Sequence, residues 1–176
     1  MSCNLLTNPS FETGTLSPWF TTVPNVNIAT VTNATAAYDG NYYLTYRTAL
    51  KQGRTSDLKT DYGNRGHSIA QTVRGLQRGT VYDFQAQIQI PDASSGVEYC
   101  FVDAYMGANA TTGLIVSQLL EPSGAGWTTV RGSYRRRGRR AEDVLTVTGS
   151  CTSPGSSYVW DVLVDEVVLE AVGGCV

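Results

Sequence analysis

The chain has 176 residues, 13 Lys and Arg against 15 Asp and Glu, a formal net charge of −2, and only 16% charged residues. This balance argues against intrinsic disorder and against a general nucleic-acid surface, and no apolar run approaches the ~18 residues of a membrane-spanning helix. The length fits one domain spanning 1–176 that buries roughly 70% of its unfolded surface and folds without staples.

Four cysteines with no C-x-x-C pair, and His67 as the single histidine, disfavour a zinc cluster and favour two disulfides. Disulfides imply an oxidising compartment, hence a secreted, extracellular protein. Asn33-Ala34-Thr35 and Asn109-Ala110-Thr111 both match the N-glycosylation acceptor pattern, which agrees with secretion. The opening residues do not read as a signal peptide, so Met1 is read either as standing where one was removed or as a start residue added for expression.

In chain order, residues 4–8 read as a short strand, 9–18 as a turn-rich segment ending at Trp19, and 26–32 as a strand. Asp39-Gly40 signals a turn, followed by a strand at 42–47 with Tyr42, Leu44 and Tyr46 on one face. Residues 48–66 are polar and irregular, a long loop of the kind that is usually functional or mobile. A strand at 68–73 leads through Gly75–Gly79 to the clearest periodicity of the chain. There Tyr82, Phe84, Ala86, Ile88 and Ile90 alternate with Asp83, Gln85, Gln87 and Gln89, which predicts one face in the core and one in water. Strands follow at 97–106, 114–120, 127–134, 143–149 and 158–169. Short strands separated by Gly/Pro turns, with no helical run, indicate a sandwich or barrel.

Five pieces then match a known pattern in order. They are Asn4-Leu5-Leu6 with Asn8-Pro9-Ser10-Phe11-Glu12, Gly14 and Trp19; Tyr38-Asp39-Gly40-Asn41-Tyr42-Tyr43-Leu44; Gln71-Thr72-Val73-Arg74-Gly75-Leu76 with Gly79 and Tyr82; Gly126-Trp127; and Val164-Asp165-Glu166-Val167-Val168-Leu169. The set resembles carbohydrate-binding modules of families 4, 9 and 22. The resemblance implies an all-β jelly-roll sandwich of two antiparallel sheets, galactose-binding-domain-like, that binds a polysaccharide or other glycan without catalysis. It also implies a structural Ca²⁺ held by Glu12 and Asp165, near Asp39-Gly40-Asn41; the competing reading is that these acids are solvated or paired with an arginine. Two departures stand out: Glu166 replaces a second closing Asp, and Arg135-Arg136-Arg137-Gly138-Arg139-Arg140 is far more basic than the family's turn.

The residues themselves suggest where a sugar would lie. With Cys100, Val102 and Ala104 facing inward, Tyr99, Phe101, Asp103 and Tyr105 face outward. Set beside the Gln85, Gln87 and Gln89 ladder of the preceding strand, they would form an aromatic row next to amides, the chemistry of an open saccharide cleft. The reverse orientation puts the aromatics in the core, but cysteine is among the most buried residue types. Tyr62 and Arg65 would form a loop lip. Trp19 and Trp127 read as core or loop packing, and Trp160 as core or a stacking platform. The arginine turn (Arg135, Arg136, Arg137, Arg139, Arg140, with Arg131 before it) is either a solvated hairpin balanced by Glu142 and Asp143 or a site for an acidic polymer. His67 has no motif around it that supports catalysis. If the chain ends lie side by side, Cys3 pairs with Cys175 and Cys100 with Cys151, one of the three pairings that sequence permits. Two rival functions remain open: a structural or adhesive surface protein without a soluble sugar ligand, and a small jelly-roll polysaccharide lyase or hydrolase.

Overall fold

The computed structural model describes residues 3–21, 29–50, 68–91, 99–124, 126–152 and 160–174. It contains β1 (Phe20–Thr21), β2 (Ala29–Asn33), β3 (Tyr42–Leu50), β4 (Ser68–Arg74), β5 (Val81–Gln89), β6 (Tyr99–Met106), β7 (Leu114–Leu120), β8 (Thr128–Arg135), β9 (Glu142–Thr152) and β10 (Trp160–Ala171), with one short helix, α1 (Ala110–Gly113). The front sheet has the order β1-β4-β9-β6-β7. The back sheet has the order β2-β3-β10-β5-β8. Every pairing within a sheet is antiparallel. The end of β3 then runs parallel to β9, Ala49 opposite Ser150 and Leu50 opposite Cys151, and joins the sheets at one corner. This is the expected two-sheet sandwich.

One core fills the space between the sheets. The front sheet contributes Ile69, Val73, Leu145, Val147, Cys100, Val102 and Ala104; the back sheet contributes Leu44, Tyr46, Tyr82, Phe84, Ile88, Val130, Val164 and Leu169. Alternation along β5 and β6 places these residues, since successive side chains point to opposite faces. In β10 the parity changes partway. Asp165 opposes Gln87 and Val168 opposes Gln85, so the strand carries an extra residue there. This bulge is why Val162 and Val164 before it, and Val167 and Leu169 after it, all face the core.

The chain ends do lie together, but residues 4–8 are not a strand. They run beside β10 through Leu5 N–H to Leu169 O (2.8 Å), while the Asn4 amide bonds Val167 O and Leu169 N. Gln71 explains the Gln of the third motif. It points into the sandwich, accepts from Thr7 N (2.8 Å) and donates to Thr7 O (2.9 Å), fixing the opening segment to β4. Phe11 is fully buried despite its left-handed φ of 58° and packs on Trp19, with ring centroids 5.8 Å apart. Trp19 is therefore core, and its indole N–H donates to Asn8 O.

Candidate functional site

The outer surface of the front sheet is built on β6. Its inward residues are Cys100, Val102, Ala104 and Met106, so Tyr99, Phe101, Asp103 and Tyr105 lie on the outer face. Cys100 is opposite Cys151 in the ladder and disulfide-bonded to it, with Cα atoms 3.9 Å apart; this was the expected pairing. The bridge lies under the face and ties its two central strands. Phe101 is 40% exposed, and Tyr99 is half-buried with its ring edge-on to Phe101, centroids 5.7 Å apart. Register puts Leu119 beside Phe101 and Ser117 beside Asp103 on β7, with Ser150 and Thr148 on β9 at the other side. Leu119 is 46% exposed.

Asp103 is half-buried, and its Oδ1 is buried with no hydrogen-bond partner among the described residues. Burial holds its carboxyl above the usual carboxylate range, against a hydrogen bond from Ser117. A buried acceptor without a donor is costly. The Tyr46 phenol, fully buried on β3, also has no hydrogen-bond partner among the described residues. Burial raises its pKa, and the Asp103 charge raises it further.

Tyr105 does not join the exposed stripe. It is 4% exposed and lies opposite Thr146, whose side chain bonds its hydroxyl. Burial raises its pKa, the Thr146 bond lowers it and the Asp103 charge raises it. Phe101 and the half-buried Tyr99 therefore sit at one end of the stripe, and Tyr105 serves as packing.

The glutamine ladder is not beside these aromatics. β5 pairs with β10 and β8, whereas β6 pairs with β7 and β9. Gln85, Gln87 and Gln89 thus lie on the opposite sheet, facing away. Two are also not in water. Gln87 is buried and accepts from Thr129 Oγ1 (3.0 Å); Gln89 is buried and donates to Gly124 O (2.6 Å). Half of the face that alternation assigns to solvent is therefore buried, Gln89 against the segment around Gly124 and Gln87 against Thr129 of β8. Trp127 packs there too, edge-on to Tyr38 and Tyr43, with its indole N–H on Ala36 O. Gln85 lies farther along in a cleft of about 860 Å³ with Asp83, Arg131, Ser133, Glu166 and Glu170. Its described lining has no exposed aromatic ring.

Glu12 and Asp165 converge on one loop. Glu12 Oε1 accepts from Asn41 N and Tyr42 N (3.0 and 2.8 Å); Asp165 Oδ2 accepts from Tyr38 N and Asp39 N (2.9 and 3.2 Å). Asp165 is completely buried, and no cationic side chain pairs with it among the described residues. Burial pushes its carboxyl up to about 6; the backbone hydrogen bonds oppose this and the Glu12 charge adds to it. Gly40 has φ +69°, and a Cβ there would fall 2.5 Å from the Glu12 carboxylate.

The arginine turn divides. Arg136 is only 4% exposed, bonded to the Asp143 carboxylate, the Arg140 and Glu142 carbonyls and the Tyr134 hydroxyl. It belongs to the protein's own structure and is not available to a polymer. Arg135, Arg137, Arg139 and Arg140 are exposed.

Asn33 and Asn109 are both exposed, and Asn109 caps α1 by accepting from Thr111 N and Thr112 N. Tyr62, Arg65, His67 and Cys175 lie outside the described residues, as does the Trp160 side chain; no described cysteine is free. Sequence reasoning missed Leu119, Ser117 and Ser150, which register alone brings to Phe101 and Asp103.

The sequence matches the carbohydrate binding domain family over residues 3–152, and the chain belongs to that family. Solved structures of the same fold include TmCBM61 in complex with beta-1,4-galactotriose, at 19% identity and TM-score 0.60, covering 97% of this chain and 99% of that one. A xylan-binding domain from family 22 matches at 15% identity and TM-score 0.62, covering 100% of both chains. The C-terminal family 22 module of Clostridium thermocellum Xyn10B matches at 15% identity and TM-score 0.61, covering 100% of this chain and 98% of that one. At these identities the likeness is one of fold. Comparison with curated proteins gave no match.

Proposed function

We propose that the chain is a secreted, non-catalytic module that holds a polysaccharide on the outer face of the front sheet, at Tyr99, Phe101, Asp103 and the neighbouring Leu119 and Ser117. Family membership supports carbohydrate binding, and structures of the same fold hold galactotriose or bind xylan. One observation carries the placement: an edge-on aromatic pair, Phe101 exposed and Tyr99 half-buried, shares the outer face with the half-buried Asp103 carboxylate. A sugar ring offers an apolar C–H face to Phe101 and hydroxyls to Asp103. Hydrolysis requires two carboxyl groups within ~9.5 Å. The other acid among the strand residues of this face, Glu142, lies six residues along β9 from the Thr148 opposite Asp103, roughly 20 Å away, and is paired with Arg74. The Cys100–Cys151 bridge agrees with secretion, and no helix among the described residues is long and apolar enough to cross a membrane. Affinity electrophoresis in gels containing xylan or galactan tests this: wild type is retarded, and Phe101→Ala migrates freely. Equal retardation of the two proteins contradicts the placement.

The same proposal includes a structural Ca²⁺ shared by Glu12 and Asp165, with the Tyr38–Tyr42 loop between them. The donors fit a hard cation, which takes oxygen ligands. Asp165 is buried with backbone N–H donors but no cationic side chain among the described residues, a carboxylate that a cation would relieve further. No three acidic or His/Cys side chains converge there among the described residues, so carbonyls and water would complete the shell.

A further inference from the structure

The arginine turn, Arg135 to Arg140, presents four exposed cations. The two acids that sequence sets against it are both engaged: Asp143 with Arg136, and Glu142 with Arg74 at 3.6 Å. Arg135, Arg137, Arg139 and Arg140 have no ion-pair partner among the described residues. Every cation in the segment is arginine, whose planar fork bonds carboxylate and sulfate groups at two points, where lysine offers a point charge.

The turn is also held in one shape. Besides the side-chain bonds of Arg136, its N–H bonds Thr80 O and its carbonyl accepts from Gly79 N (2.9 and 2.8 Å). Gly138 lies against the guanidinium so closely that a Cβ would sit 2.8 Å from Cζ. Arg135 and Arg137 therefore flank a fixed residue. Together they line a cleft of about 670 Å³ with Ser133, Asn109, Thr111 and Thr112. Asp143, the one carboxylate among the described residues of its wall, is neutralised by Arg136.

We infer that this cleft binds the acid groups of an anionic polysaccharide, with Arg135 and Arg137 holding the carboxylate or sulfate and the Ser133 and Thr111 hydroxyls bonding the sugar. The choice of a sugar polymer rests on the proposed function; the choice of an anion rests on the arginines. The cleft reaches Gly107, six residues along the chain from Phe101 and on the order of 20 Å away, so the two sites are separable by mutation.

The test is affinity electrophoresis in polygalacturonic acid (carboxylate) and in dextran sulfate (sulfate), with single-stranded DNA as competitor. Arg135→Gln/Arg137→Gln is compared with Arg139→Gln/Arg140→Gln, which removes the same charge outside the cleft. All four positions are exposed, so the fold should be retained. The first pair is expected to weaken binding to one of the two acidic polymers about tenfold or more, while the second pair changes it little. Equal weakening by both pairs, absence of binding to either polymer, or displacement by DNA as readily as by sugar polymer overturns the inference. If wild type binds an acidic polymer through Arg135 and Arg137 but no neutral polysaccharide, the front-face placement fails and this site stands.

Discussion

Phe101 meets Tyr99 edge-on, with ring centroids 5.7 Å apart and planes at 84°, on the open side of a strand that the adjacent Cys100 anchors to Cys151. The pair is a rigid apolar platform: one ring fixes the other, and the strand beneath is cross-linked. Phe101→Ala should therefore cost about 2 kcal/mol of polysaccharide binding, as loss of an aromatic anchor does. At 40% exposure it should barely move the melting temperature. Calorimetric titration and thermal denaturation of one preparation check both.

Asp103→Asn separates binding from stability. The variant loses a charged acceptor for sugar hydroxyls, a loss of about 1.5–3 kcal/mol in binding. Burial holds the Asp103 pKa above its unfolded value, so the folded state retains the proton at pH values where the unfolded chain has released it. Its contribution to stability is present below the unfolded pKa and is lost as pH rises through the folded pKa. Urea denaturation at pH 4 and pH 7 should show a smaller fall in stability with rising pH for Asp103→Asn than for wild type.

Calcium reverses the sign at Asp165. Without a cation, the carboxyl titrates near 6 when folded, so charging it between the ordinary carboxylate value and about 6 destabilises the fold. A bound Ca²⁺ favours the charged form. The rise in melting temperature on replacing EDTA by calcium should be larger at pH 7 than at pH 5. A rise of equal size at both, or none, contradicts a site there.

Gly40→Ala should be among the costliest loop substitutions. The residue has a left-handed φ, and the new Cβ would overlap the Glu12 carboxylate. Conformational strain alone costs on the order of 1–2 kcal/mol, and displacing Glu12 should also shrink the calcium-dependent gain. Differential scanning calorimetry with and without calcium reads both.

Arg136→Ala should destabilise the fold by about 3 kcal/mol, because it strands the Asp143 carboxylate and two carbonyls that it bonds. Arg139→Ala, at an exposed position in the same turn, should stay within about 0.5 kcal/mol. Chemical denaturation distinguishes them.

Much of the sandwich is legible in sequence, because β5 and β6 alternate with period two and Cys100 sets which face of β6 is inside. The motif residues also have local reasons: Gln71 bonds Thr7, and Glu12 bonds the loop that Gly40 admits. What sequence hides is partnership. β5 and β6 are consecutive and both regular, which reads as a hairpin, yet they belong to opposite sheets. That choice is made by packing of the whole chain, which no local pattern records. Coverage is hidden for the same reason: Gln87 and Tyr105 lie on outward faces but are buried by neighbours. β1 has two residues and α1 four, too short for any periodicity. Among five similar arginines, only the fold distinguishes Arg136.

The most direct test of the binding face is an amide chemical-shift titration with the soluble oligosaccharide that the protein retains best on a glycan array. The perturbed amides should cluster at Tyr99, Phe101, Asp103, Ser117 and Leu119. Perturbations confined to Asp83, Gln85, Arg131 and Glu170 on the opposite sheet would contradict the account.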